Sequence, residues 1–512
     1  MNAIGIDLGT TFSAAATVAK NGDPYILLNR EGHSTTPSVV CFRDNKPVVG
    51  MAARRSVTAA PVDCVEFVKR HMGDPTWRFP TSTGEEYTAE QISALILKRI
   101  VEDASTALGA PASEAVITVP AYFDDARRKA TADAGEIAGL DVLRVLNEPT
   151  AAALAFGYNA DREETLLVYD LGGGTFDCTV MRMGFGRFDV LATAGDRNLG
   201  GFDFDNALMI HVSELIQKAT GLWLLAPGLD DGETEAILRE HCEQAKRQLS
   251  TLPEAKISVD IDGGEHVVTV TRPTFEALTR PLLRRTEEIV QEVMEEAGIG
   301  FGRLGSVLMV GGSTRMPMVT AMVEKVTGVR ADRSVHPDEA VALGAAVLAE
   351  VLATARRHPE SRPRRTMTVN DVTSQGVGVV ARARESGEQV NSVVIPRNTP
   401  IPCQGRRRFR TLAENQREVL LVVTEGDDPD LRYATVVGSA RLAIPQKTSA
   451  VEFDIVISYD EDGIIHVTLT EPDDDGGQGG RQIAEFEIDR QANLDAADIH
   501  RMRAALRSLE VG

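Results

Sequence analysis

The chain has 512 residues, 43% hydrophobic and 25% charged, ordinary values for a soluble globular protein. That length exceeds what one core supports, so two to four domains are expected. A net charge of −21 and a pI near 5.0 argue against nucleic acid as the main partner, because phosphate backbones attract basic surfaces. The five cysteines, Cys41, Cys64, Cys178, Cys242 and Cys403, are far apart and include no CxxC pair. They predict neither a zinc site nor a disulfide framework. The nine histidines show no HExxH spacing. There is no basic n-region followed by an apolar leader, and no apolar run long enough to span a bilayer. The expectation is a protein of the reducing cytoplasm, without membrane attachment.

Taken in order, the chain opens on Ala3-Ile4-Gly5-Ile6-Asp7-Leu8-Gly9-Thr10-Thr11, a short apolar strand running into a turn with hydroxyls. A segment around Lys69 precedes an amphipathic helix over about Thr88 to Ala107. A strand over Ala115 to Val119 ends at Pro120-Ala121-Tyr122-Phe123, and helical pattern returns from Asp125 to Ile137. Asn147-Glu148-Pro149-Thr150 then leads an alanine-rich helix.

The stretch Asp170-Leu171-Gly172-Gly173-Gly174-Thr175-Phe176-Asp177 follows a second apolar run and matches the N-terminal one almost position for position. Three consecutive glycines let a backbone bend sharply and turn its N–H groups towards an anion. Aspartates on both sides would repel a phosphate unless a cation lay between, so one reading is a Mg-phosphate turn. The other is a glycine-rich hairpin with acidic flanks, and taken alone the two are level. The near-repeat suggests a duplicated domain, each half supplying one phosphate-facing turn. A third such turn is Val310-Gly311-Gly312-Ser313-Thr314-Arg315.

Phe185 to Ala194 reads as a strand, and Phe202 to Ala219 and Glu233 to Leu249 as helices. On the last helix Glu243, Lys246, Arg247 and Ser250 share one face, which by itself reads as a solvated face with local ion pairs. Gly300 to Gly305 fits GxGxxG but precedes a strand, so it is not a dinucleotide fingerprint. No GxxxxGK[ST] occurs, nor the HRD and DFG set of protein kinases. His336-Pro337-Asp338-Glu339 is read as a helix start that fades into the basic run Arg356 to Arg365, a boundary by composition. Beyond Met367 come β-branched segments, Glu418 to Thr424, Val451 to Ser458, Ile464 to Thr470 and Ile483 to Ile488. Turns such as Asp460-Glu461-Asp462-Gly463 separate them, as in an all-β sandwich. An acidic, glycine-rich loop covers Asp473 to Gly480, and a short helix covers about Asp495 to Leu509.

Together the motifs resemble the heat-shock protein 70 chaperones of the DnaK type. The matching runs are Ile6 to Thr11, Ile117 to Phe123, Asn147 to Ala153, Asp170 to Asp177 and Val310 to Pro317, in the family's order. A weaker likeness runs through Ala413 to Gln416 and Asp460 to Val467. The resemblance implies a multi-domain chain. An actin-like, duplicated ribonuclease-H-like α/β ATPase domain of two lobes would span residues 1–355, and a linker 356–371. A β-sandwich peptide-binding domain would span 372–490, and a residual lid helix 491–512.

By the same resemblance Asp7 and Asp170 would hold Mg²⁺. Gly9, Thr10, Thr11 and the turn Gly172, Gly173, Gly174, Thr175 would cradle the phosphates of ATP or ADP. Lys69, Glu148, Asp170, Thr175 and Asp177 match the catalytic set, in which positioning and electrostatics dominate. Glu243, Lys246, Arg247 and Ser250 match the adenosine-binding face. Gly311, Gly312, Ser313, Arg315 and Asp338 match the opposite wall. Pro120 and Arg128 match residues that relay the nucleotide state. Arg144 and Asp371 match the junction where J-domain co-chaperones act. Phe409, Leu412, Val419 and Leu421 fall where the family lines its peptide groove, though plain sandwich core would account for them nearly as well. The implied partners are unfolded or extended polypeptides, a J-domain co-chaperone and a nucleotide exchange factor.

The chain also departs from the family pattern. The linker Met367-Thr368-Val369-Asn370-Asp371 has little apolar surface, so weak docking on the ATPase lobe is expected. Arg382 stands where an apolar arch residue is usual, and the loop after Lys69 is short. Most of the helical lid is missing, which should speed release of bound peptide. The expected function is ATP-dependent chaperoning with slow hydrolysis, in a cytoplasmic, stress-response setting. The alternative is an ATP-shaped regulatory scaffold for one dedicated partner. A sugar-kinase-like enzyme is disfavoured by Lys69 and the β module, since a kinase needs a base for a substrate hydroxyl.

Overall fold

The computed structural model describes residues 2–43, 46–157, 162–225, 232–261, 264–332, 334–358, 367–384, 386–444, 450–460, 465–472, 482–487, 494–509 and 511–512. The duplication read from the sequence appears as two sheets of matching topology. In the first, Asn2–Asp7 runs parallel to Ala112–Val119, which runs parallel to Asp141–Asn147. On its other side Asn2–Asp7 turns back into Phe12–Val18. In the second, Glu164–Leu171 runs parallel to Ser306–Val310 and turns back into Phe176–Gly184, which continues antiparallel into Arg187–Asp196. Both central strands deliver an aspartate at their carboxyl ends, Asp7 and Asp170. These strands are buried on both faces and read as near-continuous apolar runs, as parallel sheets covered by helices do.

Each sheet carries its own core. Ile4, Ile6, Ile92, Leu95 and Ile117 belong to the first, and Leu167, Phe176, Phe204, Val293 and Val307 to the second. Between them lies an alanine-rich layer where the helices Glu148–Gly157 and Ala340–Arg357 cross. A side chain at Gly344 would strike the Ala151 backbone, so small residues there set the spacing between lobes. The long helix Ala89–Leu108 begins at a capping box in which Thr88 and Gln91 satisfy each other's backbone N–H groups.

The β-rich segments after Met367 form two four-stranded antiparallel sheets. One is ordered Gln389–Ile395, Val377–Arg382, Glu418–Glu425, Thr435–Ala443. The other is Cys403–Arg410, Glu452–Tyr459, Ile465–Thr470, Gln482–Glu487. Their shared core contains Val379, Leu421, Val423, Phe453, Ile457 and Val467.

Several expectations are corrected. Cys41 and Cys64 form a disulfide with Cα atoms 4.0 Å apart. They lie opposite each other on the antiparallel pair Val40–Arg43 and Cys64–Val65, a neighbourhood that a separation of 23 residues does not reveal. Phe185 is not in a strand. It sits in the left-handed region at a hairpin tip, 70% exposed, and the strand starts at Arg187. Pro337 precedes its helix, which begins at Ala340, because the Pro337 carbonyl is taken by the Gly311 N–H. The weakly apolar linker does dock. Thr368–Asn370 joins the second sheet as a parallel edge strand beside Arg187–Asp189, and Asn370 donates to Asp189 at 2.6 Å. Backbone ladder and polar pairs hold it, with Met367 and Val369 packed against the alanine-rich core beneath.

The terminal helix Ala496–Ser508 packs on the first lobe, with Ile499, Leu506 and Val511 in that lobe's core. Lys98 donates to the Leu506 carbonyl at 2.8 Å, and Arg99 to the Gly512 carbonyl at 2.8 Å. Glu461-Asp462-Gly463, the acidic loop Asp473 to Gly480 and most of the Arg356–Arg365 run lie outside the described residues. Arg356 and Arg357 themselves pair with Asp141 and Glu114.

Candidate functional site: a cleft between two strand–turn repeats

The two Asp-Leu-Gly turns meet face to face. A Cβ on Gly173 would strike Thr11, and one on Gly174 would strike Thr10, so the approach requires glycine. The third turn, after Ser306–Val310, closes the same corner, and Ser313 Oγ donates to the Gly172 carbonyl at 2.9 Å. The cleft left between the lobes has a volume of about 680 Å³ and is lined from all three turns. That is within the range of pre-formed small-molecule sites.

Three carboxylates, Asp7, Glu148 and Asp170, line its floor, with a fourth, Asp177, buried close enough for its charge to act on Asp170. The cation among them, Lys69, forms a buried ion pair with Glu148. Burial, then the Glu148 charge, pushes the Asp7 carboxyl up to about 7, against the pull of Lys69. The same two causes push Asp177 up to about 7, even though it accepts the Tyr122 N–H at 2.9 Å. Asp170 is raised too, by burial and by Glu148, Asp177 and Asp7 together. Such an excess of buried negative charge fits a divalent cation of the hard, oxygen-seeking kind. The buried Thr11 hydroxyl, which has no hydrogen-bond partner among the described residues, fits a further ligand oxygen.

The structure brings Gly9, Thr10, Thr11, Gly172, Gly173 and Thr175 into one wall of this cleft. Gly174 lies just behind, its carbonyl accepting from Arg70 at 2.8 Å. The helix face judged bland from its residues turns inward. Glu243, Lys246, Arg247 and Ser250 all line the cleft. Arg247 donates to Glu243 at 2.6 Å, and Lys246 donates to Asp205 at 2.8 Å. Burial lifts the Asp205 carboxyl to about 6 despite that lysine. Across the cleft stand Gly311, Gly312, Ser313 and Arg315, with Arg315 paired to Asp338 at 2.6 Å.

Sequence reasoning missed Arg54, Glu66, Arg70, Asp205 and Arg239. Arg54 pairs with Glu243, and Arg70 bridges the Gly174 carbonyl and Asp203 at 2.6 Å. None sits in a motif; the tertiary path brings Arg54, Glu66, Asp205 and Arg239 into the cleft lining and Arg70 behind the glycine turn.

The coupling and groove candidates fall elsewhere. Pro120 is buried just after the strand Ala112–Val119, and Arg128 donates to Asn147 and to the Phe123 carbonyl at 3.2 Å. Asn147 in turn donates to Asp371 at 2.6 Å, so Arg128 and Asp371 share one polar cluster. Arg144 is half-buried on the strand Asp141–Asn147. Leu421 is buried in the β core, Phe409 and Val419 pack against that core, and Leu412 is 73% exposed.

A cleft with an acidic floor between two duplicated α/β lobes, joined by a docked strand to a β module, is the architecture of a two-lobed nucleotide-dependent ATPase with a β appendage. The family model described as "Hsp70 protein" matches residues 3–510. A chaperone protein DnaK of Thermus thermophilus is 39% identical over 530 aligned positions, covering 98% of this chain and 82% of the relative. A chaperone protein DnaK of Halobacterium salinarum is 37% identical over 523 positions, covering 99% and 80%. The chain belongs to the Hsp70 family and is an ATP-dependent molecular chaperone with ATPase activity. Among the described residues no helix is long and apolar enough to cross a membrane.

Proposed function

We propose that this chaperone, in the cytoplasm, binds Mg-ATP in the interlobe cleft and hydrolyses it slowly. Nucleotide state then sets how tightly the β module holds unfolded or extended polypeptide. The observation that carries the reading is the floor of Asp7, Glu148 and Asp170 around Lys69, beside the facing Gly173–Thr11 and Gly174–Thr10 contacts. Mg²⁺, when bound by Asp7 and Asp170, supplies charge neutralisation on the phosphate oxygens. Thr10, Thr11 and the Gly172–Thr175 turn bind the phosphates. Lys69, oriented by Glu148, offsets charge that develops during phosphoryl transfer. Asp177 and Thr175 orient the attacking water. Glu243, Lys246, Arg247 and Ser250 hold the adenosine against Gly311, Gly312, Ser313, Arg315 and Asp338.

The route to the β module is a chain of contacts through residues 120–128. Asp177 accepts the Tyr122 N–H at 2.9 Å. The Phe123 carbonyl accepts Ser374 Oγ at 3.3 Å, and Asp125 accepts the Ile465 N–H at 3.1 Å. A shift at Asp177 therefore reaches both β sheets without crossing solvent. A J-domain co-chaperone acts at the Arg144–Asp371 junction, and an exchange factor on the nucleotide lobes.

The test is the dissociation rate of a fluorescent extended peptide in ATP and in ADP. Faster release in ATP is expected. Identical rates would replace the chaperone cycle with an ATP-shaped scaffold for a dedicated partner.

A further inference from the structure

The first β sheet comes apart at one end. Val377–Arg382 pairs with Glu418–Glu425 only from Val377–Glu425 to Val379–Val423. Each strand nevertheless continues with its other neighbour, as far as Arg382–Gln389 on one side and Glu418–Ala443 on the other. Two hairpins thus share a base and part above it. The backbones of residues 380–382 and 418–422 are left without a ladder between them, a ready template for an added strand.

Side chains on the parted hairpins alternate in a readable way. Val419 and Leu421 turn inward onto the sandwich core. Leu420 turns outward, 58% exposed, and stands directly opposite Arg441. Arg382 lies on the same outer face as Val380, since Val377 and Val379 are the buried residues of that strand. Arg417, also exposed, sits at the open, parted end of the second hairpin, just before Glu418. Among the described residues none of these three arginines has a carboxylate within ion-pair distance, whereas Arg406 and Arg408 share Asp454. Residues 382–417 hold eight arginines against three glutamates in a chain of net charge −21. Unpaired arginines concentrated around an open strand edge in an otherwise acidic protein are a charge awaiting its complement.

We infer that the parted hairpins select extended segments in which apolar and acidic residues alternate, a deepening that rests on the polypeptide-binding reading above. A strand added along residues 418–422 would send every second side chain inward onto Val419 and Leu421, and the others outward to Leu420 and the arginines. Leucine or valine suits the first set. Aspartate or glutamate suits the second, with Arg382 and Arg441 on either side.

The test uses the full-length protein with ADP and three fluorescein-labelled peptides that alternate Leu–Asp, Leu–Ser or Leu–Lys, read by anisotropy at low and high salt. The acidic peptide should bind about tenfold tighter than the lysine peptide at low salt, given a few exposed pairs each worth up to about 1 kcal/mol. That ratio should shrink at about 0.5 M salt. In the double variant Arg382→Gln and Arg441→Gln, with an unchanged melting temperature, the ratio should fall below about threefold. Equal affinities, or a preference for Leu–Lys, would overturn the acidic selectivity and leave peptide binding intact. If none of the three binds, the polypeptide-binding reading falls with it.

Discussion

The nucleotide cleft and the parted β hairpins treat charge in opposite ways. In the cleft most cations have an internal partner: Lys69 with Glu148, Lys246 with Asp205, Arg54 with Glu243, Arg315 with Asp338. What remains is an acid surplus on buried floor positions, suited to one small, hard cation. At the hairpins the surplus is basic, exposed and spread along a strand edge. A site that must hold one ligand in one pose is pre-organised by ion pairs. A site that must accept many sequences leaves its charges free and offers backbone instead.

The contrast breaks first in the cleft. Lys69→Ala should lower single-turnover ATP hydrolysis by about two orders of magnitude or more, and Asp170→Asn should abolish it, with the fold intact. Full turnover by the Lys69 variant would remove the lysine from the catalytic set. Next in size is the Cys41–Cys64 crosslink, which lies just ahead of the Lys69 segment. Reduction should destabilise the first lobe by about 3 kcal/mol, from loop closure over 23 residues, seen as a lower melting transition in reductant. The Cys41→Ala, Cys64→Ala double variant should melt at the same temperature with and without reductant.

A smaller effect is expected where the two regions join. Glu425 is buried against helix Asp125–Ile137, and its carboxylate accepts the Asp125 N–H at 3.4 Å. Burial, then the charges of Asp124 and Asp125, raises it well above an ordinary glutamate, with Arg128 pulling the other way and Tyr459 nearby. The docked state therefore favours the protonated acid. Docking is unpenalised below the solvent-exposed glutamate value near 4.5, and weakens as pH rises from there towards the raised docked value. Raising pH from 5 to 8 should lower the amide protection factors of Thr368–Asn370, taken relative to the intrinsic base-catalysed exchange rate at each pH. Glu425→Gln should remove most of that dependence and tighten docking by about 1–2 kcal/mol. Equal pH slopes in both proteins would discharge Glu425 from this role.

How much could be read in advance follows the same division. The cleft was legible because its parts are local: a strand, a turn and a hydroxyl, repeated. Even Glu243 to Ser250 had the right helical spacing, although the residues alone pointed to solvent. The docking of lobe and module was not legible. Glu425 and Asp125 are 300 residues apart and neither carries a motif. The linker misled because its apolar content was weighed while its backbone was not. Cys41 and Cys64 looked isolated because strand register, not spacing, brings them opposite. Of the groove candidates, Phe409, Val419 and Leu421 lie on strands and face the core, whereas Leu412 lies in the bend between two strands and remains outside.

The linker strand also finishes the second sheet. While Thr368–Asn370 is in place, Arg187–Asp189 is an interior rung; once it leaves, that strand becomes a bare edge with three residues of unpaired backbone. Any extended segment of suitable length then competes for the vacancy, including the linker of a second copy, which would exchange strands between molecules. Arg187 and Asp189, paired at 2.6 Å on that edge, place charge where a stranger's side chains would have to settle. Undocking of the linker would thus expose an adhesive strand edge, with those two charges set against its pairing with a second copy.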